Sequence, residues 1–158
     1  MNTNMKRRVF LKGSLAAGTV GVAVGAGLLA PQAVMAAWPK AAFEAKSIED
    51  ALGGSLGGKQ TEQSDDIKIK APDIAENGAV VPVSISTGMA DVESVALLSA
   101  GNESPMVAQF VLGAGGVADV STRIKMAKTG DVVAVVKSGG KLYANRKSVK
   151  VTIGGCGG

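Results

Sequence analysis

One side chain stands apart by type and position. Cys156 is the only cysteine among 158 residues and lies two residues from the terminal carboxylate, in the ending TIGGCGG, Thr152 to Gly158. A thiol there could form a disulfide, take a lipid, attack a substrate or carry a group bound through sulfur. The ending is not a prenylation box, and a bacterial lipoprotein cysteine would follow its leader rather than close the chain. A self-activated nucleophile needs a base or a positive neighbour. The chain contains no histidine, and Lys147 and Lys150 lie back on the preceding strand. An unperturbed thiol is only a few per cent thiolate at neutral pH, so activation must come from outside. Two readings stand level on chemistry alone: a covalent carrier, and a thiol for intermolecular disulfides, which an unpaired cysteine in an exported protein invites. An incidental cysteine on a frayed tail is the bland third.

The residues around the thiol favour reach. Gly154, Gly155, Gly157 and Gly158 flank it on both sides. Glycine has the widest backbone freedom and nothing to pack, so the expectation is a mobile tail. From Ile153 to Cys156 such a tether extends roughly 10 Å. That is enough to place the thiol in another protein's pocket while the domain stays outside, and bare backbone fits a narrow channel.

What the chain lacks narrows the classes further. With one cysteine and no histidine, the common zinc, copper and iron sites cannot be assembled from this chain. Serine or cysteine nucleophiles lack an imidazole base. No resident cofactor and no catalytic residue are expected. The net charge of +4 is misleading: of 17 Lys and Arg, four lie in the first 36 residues, leaving 13 against 13 Asp and Glu. The remainder is neutral, so the charge is no argument for nucleic acid.

Those four are Lys6, Arg7, Arg8 and Lys12, in the stretch MKRRVFLK. An apolar Gly- and Ala-rich run follows to Ala30, then Pro31 and the small-residue exit AVMA, Ala33 to Ala36. That is the order of an export leader over 1–36, with cleavage expected after Ala36. Gly13, Gly18, Gly21, Gly25 and Gly27 make it a poor membrane anchor, so no membrane association is expected after cleavage. Arg7 and Arg8, with Phe10, Leu11 and Lys12 behind them, resemble a twin-arginine signal, and Lys6 stands where Ser or Thr is usual. The expected location is therefore the periplasm. The twin-arginine route carries folded cargo, and with no cofactor to load, a partner subunit acquired before export is the economical reason for it.

The elements that position the thiol come next. Ala41, Ala45, Ile48 and Leu52 form a helical stripe within AAFEAKSIEDALGG, with Ser47 and Asp50 able to cap a shorter helix from Ile48. Gly53 and Gly54 are expected to end it. Residues 37–66 thus read as a helix and polar linker. From Ile67 the period changes to two. IKIKAP, AVVPVSIST, VESVALLSA, MVAQFVLG, VADVSTRIKMA, DVVAVVKSGGKLYAN and KSVKVTIGG read as seven or eight strands. Glu76 to Gly78 marks a turn, Pro82 an edge or bulge, and Ser138 to Lys141 a hairpin. The expected fold is an all-β antiparallel, immunoglobulin-like β-sandwich over 67–153, with a short N-terminal helix and a flexible C-terminal arm over 154–158. In the last strand Val149, Val151 and Ile153 alternate with Lys150 and Thr152. Met106, Val107 and Phe110 are candidates for a partner surface, with the sheet core as the stronger reading.

The ending VKVTIGGCGG, with IKAPDIAENGAVVPVSI (Ile69 to Ile85) and STRIKMAKTGDVVAVVK (Ser121 to Lys137), resembles the SoxY family, the sulfur carriers of the periplasmic thiosulfate-oxidising system. The likeness covers essentially the whole mature chain. It implies a tight heterodimer with a SoxZ-like subunit, an all-β protein without its own leader. It makes Cys156 the covalent attachment point for sulfur intermediates, on an arm formed by Gly154, Gly155, Gly157 and Gly158. It also implies transient encounters with a SoxAX-like haem enzyme, a SoxB-like hydrolase and a sulfane dehydrogenase. The chain would then be a substrate scaffold rather than an enzyme. The alternative from another class is a periplasmic β-sandwich that cross-links through Cys156.

Overall fold

The chain divides into two units, Met1–Ala37 and Trp38–Gly158. The computed structural model describes residues 39–113 and 115–152, so the leader with Arg7 and Arg8, and the tail from Ile153 with all its glycines and Cys156, lie outside the described residues.

Two short helices come first, α1 (Lys40–Glu44) and α2 (Ile48–Leu56). The expected single stripe is broken at Ala45, which is extended, and Ala42 rather than Ala41 is the buried residue of α1. The Ser47 hydroxyl accepts a hydrogen bond from the Asp50 amide at 3.1 Å, so the capped start at Ile48 is the one adopted. Gly53 and Gly54 do not end the helix. It continues to Leu56 and closes on Gly57, whose φ of 76° is the left-handed cap. The reason is packing: a Cβ on Gly54 would stand 3.0 Å from the Ala42 amide nitrogen, so glycine there lets the two helices meet.

Nine strands follow among the described residues: β1 (Glu62–Gln63), β2 (Ile67–Lys70), β3 (Ile74–Ala75), β4 (Val81–Thr87), β5 (Val92–Ser99), β6 (Met106–Val111), β7 (Asp119–Ile124), β8 (Gly130–Ser138) and β9 (Lys141–Val151). One sheet runs β1-β9-β8-β5-β6, with β3 also on β9; the other is β2-β4-β7. The β-sandwich expected from the sequence is thus present. It is antiparallel except that β1 and β3 join the outer side of β9 as parallel two-residue pairs. KLYAN and KSVKV, which read as separate strands, are one continuous β9.

The Gly139-Gly140 pair has φ of 55° and 77°, and Ser138 faces Lys141 across it. Both positive φ values suit a two-residue hairpin turn that only glycine enters freely. Pro82 lies in β4, the central strand of its sheet. Residues 81–83 pair with β7 alone, because β2 stops opposite Ser84, so proline sits at a local edge.

The hydrophobic residues divide into two cores. Ile67, Val83 and Ile85 of the small sheet meet Val95, Leu97, Val132 and Val136 of the large one. On the other face of the large sheet, Ala96, Leu98, Val133 and Val135 meet Ala42, Leu52 and Leu56 of the helices. The described residues therefore form three layers, and β5 and β8 are buried on both faces. Their unbroken apolar runs, VALLS and VVAVV, have this cause. Met106 joins the helix-side core and Val107 packs partly against the other, as the core reading expected, but Phe110 is half-buried and belongs to neither core.

Candidate functional site

Cys156 and the arm glycines are not among the described residues, but the place from which they leave is. The tail departs from the end of β9, and that end is held on both sides. On one side, the Lys150 amide donates to the Asp73 carbonyl at 2.9 Å and the Thr152 amide to the Ala75 carbonyl at 3.0 Å. The Thr152 hydroxyl also donates to the Ala75 carbonyl at 3.4 Å. On the other side β8 begins at Gly130, opposite Val149. There the ladder is extended by a side chain. The Thr129 hydroxyl accepts from the Val151 amide at 2.9 Å and donates to its carbonyl at 3.3 Å.

The loops that supply these groups are themselves tied. The Met126 amide donates to the Gly78 carbonyl at 2.7 Å. A Cβ on Gly78 would run into the Met126 carbonyl oxygen and stand 2.8 Å from the Val151 side chain, so the β3–β4 loop can close against the end of β9 only with glycine there. Asn102, in the β5–β6 loop, uses both ends of its amide on the β7–β8 loop. Its nitrogen donates to the Lys125 carbonyl and its oxygen accepts from the Ala127 amide, both at 2.8 Å.

The electrostatics of this end are mild. The Lys147 ammonium hydrogen-bonds Asp73 at 2.7 Å and holds its carboxyl below the usual carboxylate range. Lys128 and Lys150 are exposed around the root. Among the described residues no three His, Cys, Asp or Glu side chains gather as a metal site. One surface groove of about 480 Å³ is lined by Lys68, Thr87, Met89 and Asp119. Another of about 470 Å³ is lined by Lys59, Glu62 and Lys141. Both lie at the ends of β4 and β9 opposite the tail root, so neither is placed to receive a thiol four residues past Thr152.

Reading the sequence singled out the tail but missed its root. Thr129, Asn102 and Asp73 carry no local pattern that singles them out. Gly78 was legible only as part of a turn, and its contact with Val151 depends on long-range packing that no local pattern encodes.

Comparison with known proteins bears on this architecture. The profile of the family described as "Sulfur oxidation protein SoxY" matches residues 53–156. Among solved structures, the sulfur carrier protein SoxY from Chlorobium limicola f thiosulfatophilum is 44% identical, with a TM-score of 0.60 over 66% of this chain and 94% of that one. A superoxide reductase (neelaredoxin) from Ignicoccus hospitalis is 22% identical, with a TM-score of 0.50 over 65% of this chain and 90% of that one; the likeness is one of fold alone. No curated protein matches the chain.

Proposed function

This chain belongs to the SoxY family of sulfur oxidation proteins, and from that premise we propose that it carries sulfur intermediates covalently on Cys156 while partner enzymes act on them. The observation that carries the proposal is the extent of the family match, which runs to position 156, the chain's single cysteine. The Chlorobium relative, itself a sulfur carrier protein, supports the same role.

The chemistry proposed for Cys156 follows from a thiol without its own activating groups. A SoxAX-like haem enzyme joins the thiol to thiosulfate as a thiosulfonate, forming one S–S bond and accepting two electrons. A SoxB-like hydrolase adds water and releases the terminal sulfone group as sulfate, leaving a persulfide on Cys156. A sulfane dehydrogenase, where present, removes six electrons from the outer sulfur while three water oxygens bond to it and six protons leave. A second hydrolysis then releases sulfate and restores the thiol. Every acid, base, metal and electron acceptor belongs to the partners. This chain supplies an attachment atom, an arm built from Gly154, Gly155, Gly157 and Gly158, and a body that presents the arm.

The twin-arginine leader with Arg7 and Arg8 is proposed to export the folded chain to the periplasm, together with a SoxZ-like subunit. The edge of β6, which has no further strand beside it among the described residues, supports a place for that subunit. β6 ends the large sheet, and its sequence MVAQFV carries no charge. The outer strands of the small sheet are guarded by Lys68 and Lys70 on β2 and by Asp119 and Arg123 on β7. Val111 at the end of β6 is 78% exposed and Val117 beyond it 80% exposed. An uncharged, apolar strand edge fits an all-β partner that adds a strand to it.

The test is Cys156→Ser in cells grown on thiosulfate. A carrier loses thiosulfate oxidation entirely, although the protein is exported and still forms its heterodimer. Retained oxidation, with only a covalent dimer lost, would replace the carrier with a cross-linking module.

A further inference from the structure

A carrier arm four residues long gives its partners little slack. From Thr152 to Cys156 the chain spans at most about 14 Å, so a shift of the root by a few ångströms is a large fraction of the reach. The position of the root therefore bears on function, and three groups fix it. β3 and Asp73 just before it hold Thr152 and Lys150 through the backbone carbonyls of Ala75 and Asp73. Thr129 holds Val151 at both its amide and its carbonyl. Asn102 holds the loop on which Thr129 sits, bonding residues 125 and 127.

Of these, Thr129 is the one whose side chain does the work of a strand. Backbone pairing between β8 and β9 begins at Gly130 and Val149. Beyond it, β9 keeps β3 on its other side but has no backbone partner on this one. The Thr129 hydroxyl replaces the missing neighbour. We propose that Thr129, braced by Asn102, is a positioning residue for the carrier arm: it holds Val151 on the side of β9 that β3 leaves open, so that the root is fixed from both sides rather than from one. Its use rests on the carrier role of Cys156; its existence as a clamp does not.

The experiment compares the full chain with Thr129→Val, which keeps the shape and removes the hydroxyl, and Thr129→Ser, which keeps the hydroxyl. Thr129 is exposed, so neither variant opens a core cavity. Amide exchange at Val151 should speed up at least about threefold in Thr129→Val, the effect of one lost hydrogen bond, with exchange in β5 unchanged. It should return to the native rate in Thr129→Ser. A nitroxide on Cys156, the only cysteine, should broaden a wider set of amides in Thr129→Val than in the native chain, because a root held on one side alone lets the label roam further.

Under the carrier reading, turnover by the thiosulfate-joining enzyme should then show a raised KM with kcat held in Thr129→Val and native values in Thr129→Ser. Reaction of Cys156 with a small soluble disulfide should be equal in all three. Unchanged Val151 exchange in Thr129→Val would overturn the clamp. A faster Val151 exchange with unchanged label distribution and KM would overturn the positioning role. Failure of the native chain to take up sulfur at all would instead defeat the carrier reading, and the exchange and label data would still decide the clamp.

Discussion

The chemistry proposed for Cys156 requires very little of its neighbours. A single thiol among glycines, in a chain without histidine, reads as one that others must activate, which suits a carrier and a disulfide linker equally, and the family resemblance chose between them. The residues at the root of the tail are illegible for a different reason. Thr129, Asn102 and Gly78 matter through partners 22, 23 and 25, and 48 and 73 positions away, and no spacing rule connects them. Gly78 gives a sharp test at this scale. Gly78→Ala places a methyl against the Met126 carbonyl and the Val151 side chain. Overpacking of this kind costs about 1–3 kcal/mol. For a domain near 100 residues that is a fall in melting temperature of roughly 5–15 °C, read by thermal denaturation; an unchanged melt would contradict the close contact. At the arm, Gly154→Pro with Gly155→Pro should leave the melt unchanged, since both lie beyond the last strand. It should slow turnover by partner enzymes, and equal turnover would remove the need for a flexible arm.

Secondary elements were legible where local chemistry decides them. The Gly139-Gly140 hairpin, the alternating IKIK strand and the Ser47 cap each follow from residues within four positions. The helix end was not. Two adjacent glycines are ordinarily a stop, but here Gly54 continues α2 because Ala42 packs against it. The parallel additions β1 and β3 are two residues each, too short for any periodicity to announce. Strand β3 is fastened to β9 by its backbone and, just before it, by the Asp73–Lys147 pair. The hydrogen bond and charge of Lys147 lower the Asp73 pKa. A lowered carboxyl pKa gives stability that is complete above the unfolded value, about 3.9, and is lost as pH falls through the folded value. Acidification below about pH 4 should therefore loosen this fastening. Amide exchange at Lys150, corrected for its intrinsic pH dependence, should rise there, and Asp73→Asn should show the same rise at neutral pH. The pair is exposed, so the change should be small and salt-sensitive. An acid-insensitive Lys150 amide would contradict it.

At the scale of the whole molecule, the sandwich could be read from turns and alternation, but its third layer could not. The runs VALLS and VVAVV are continuous rather than alternating because helices cover the second face of the large sheet, and the same runs would suit a strand in several folds. That β6 ends the large sheet was likewise not legible, because strand order depends on long-range pairing. Val111→Lys, at a position that is 78% exposed, should leave the monomer's melt unchanged and abolish a stable heterodimer in size-exclusion chromatography. Val80→Lys, at another exposed valine outside β6, should leave the heterodimer intact. Persistence of the complex in Val111→Lys would move the partner to another face. The central claim, that this body exists to present one thiol bearing sulfur, is tested most directly by the intact mass of the protein purified from thiosulfate-grown cells, before and after reductant. The account predicts reductant-labile additions of sulfur or thiosulfate mass, mapped to Cys156. A bare thiol, or a disulfide homodimer alone, would contradict it.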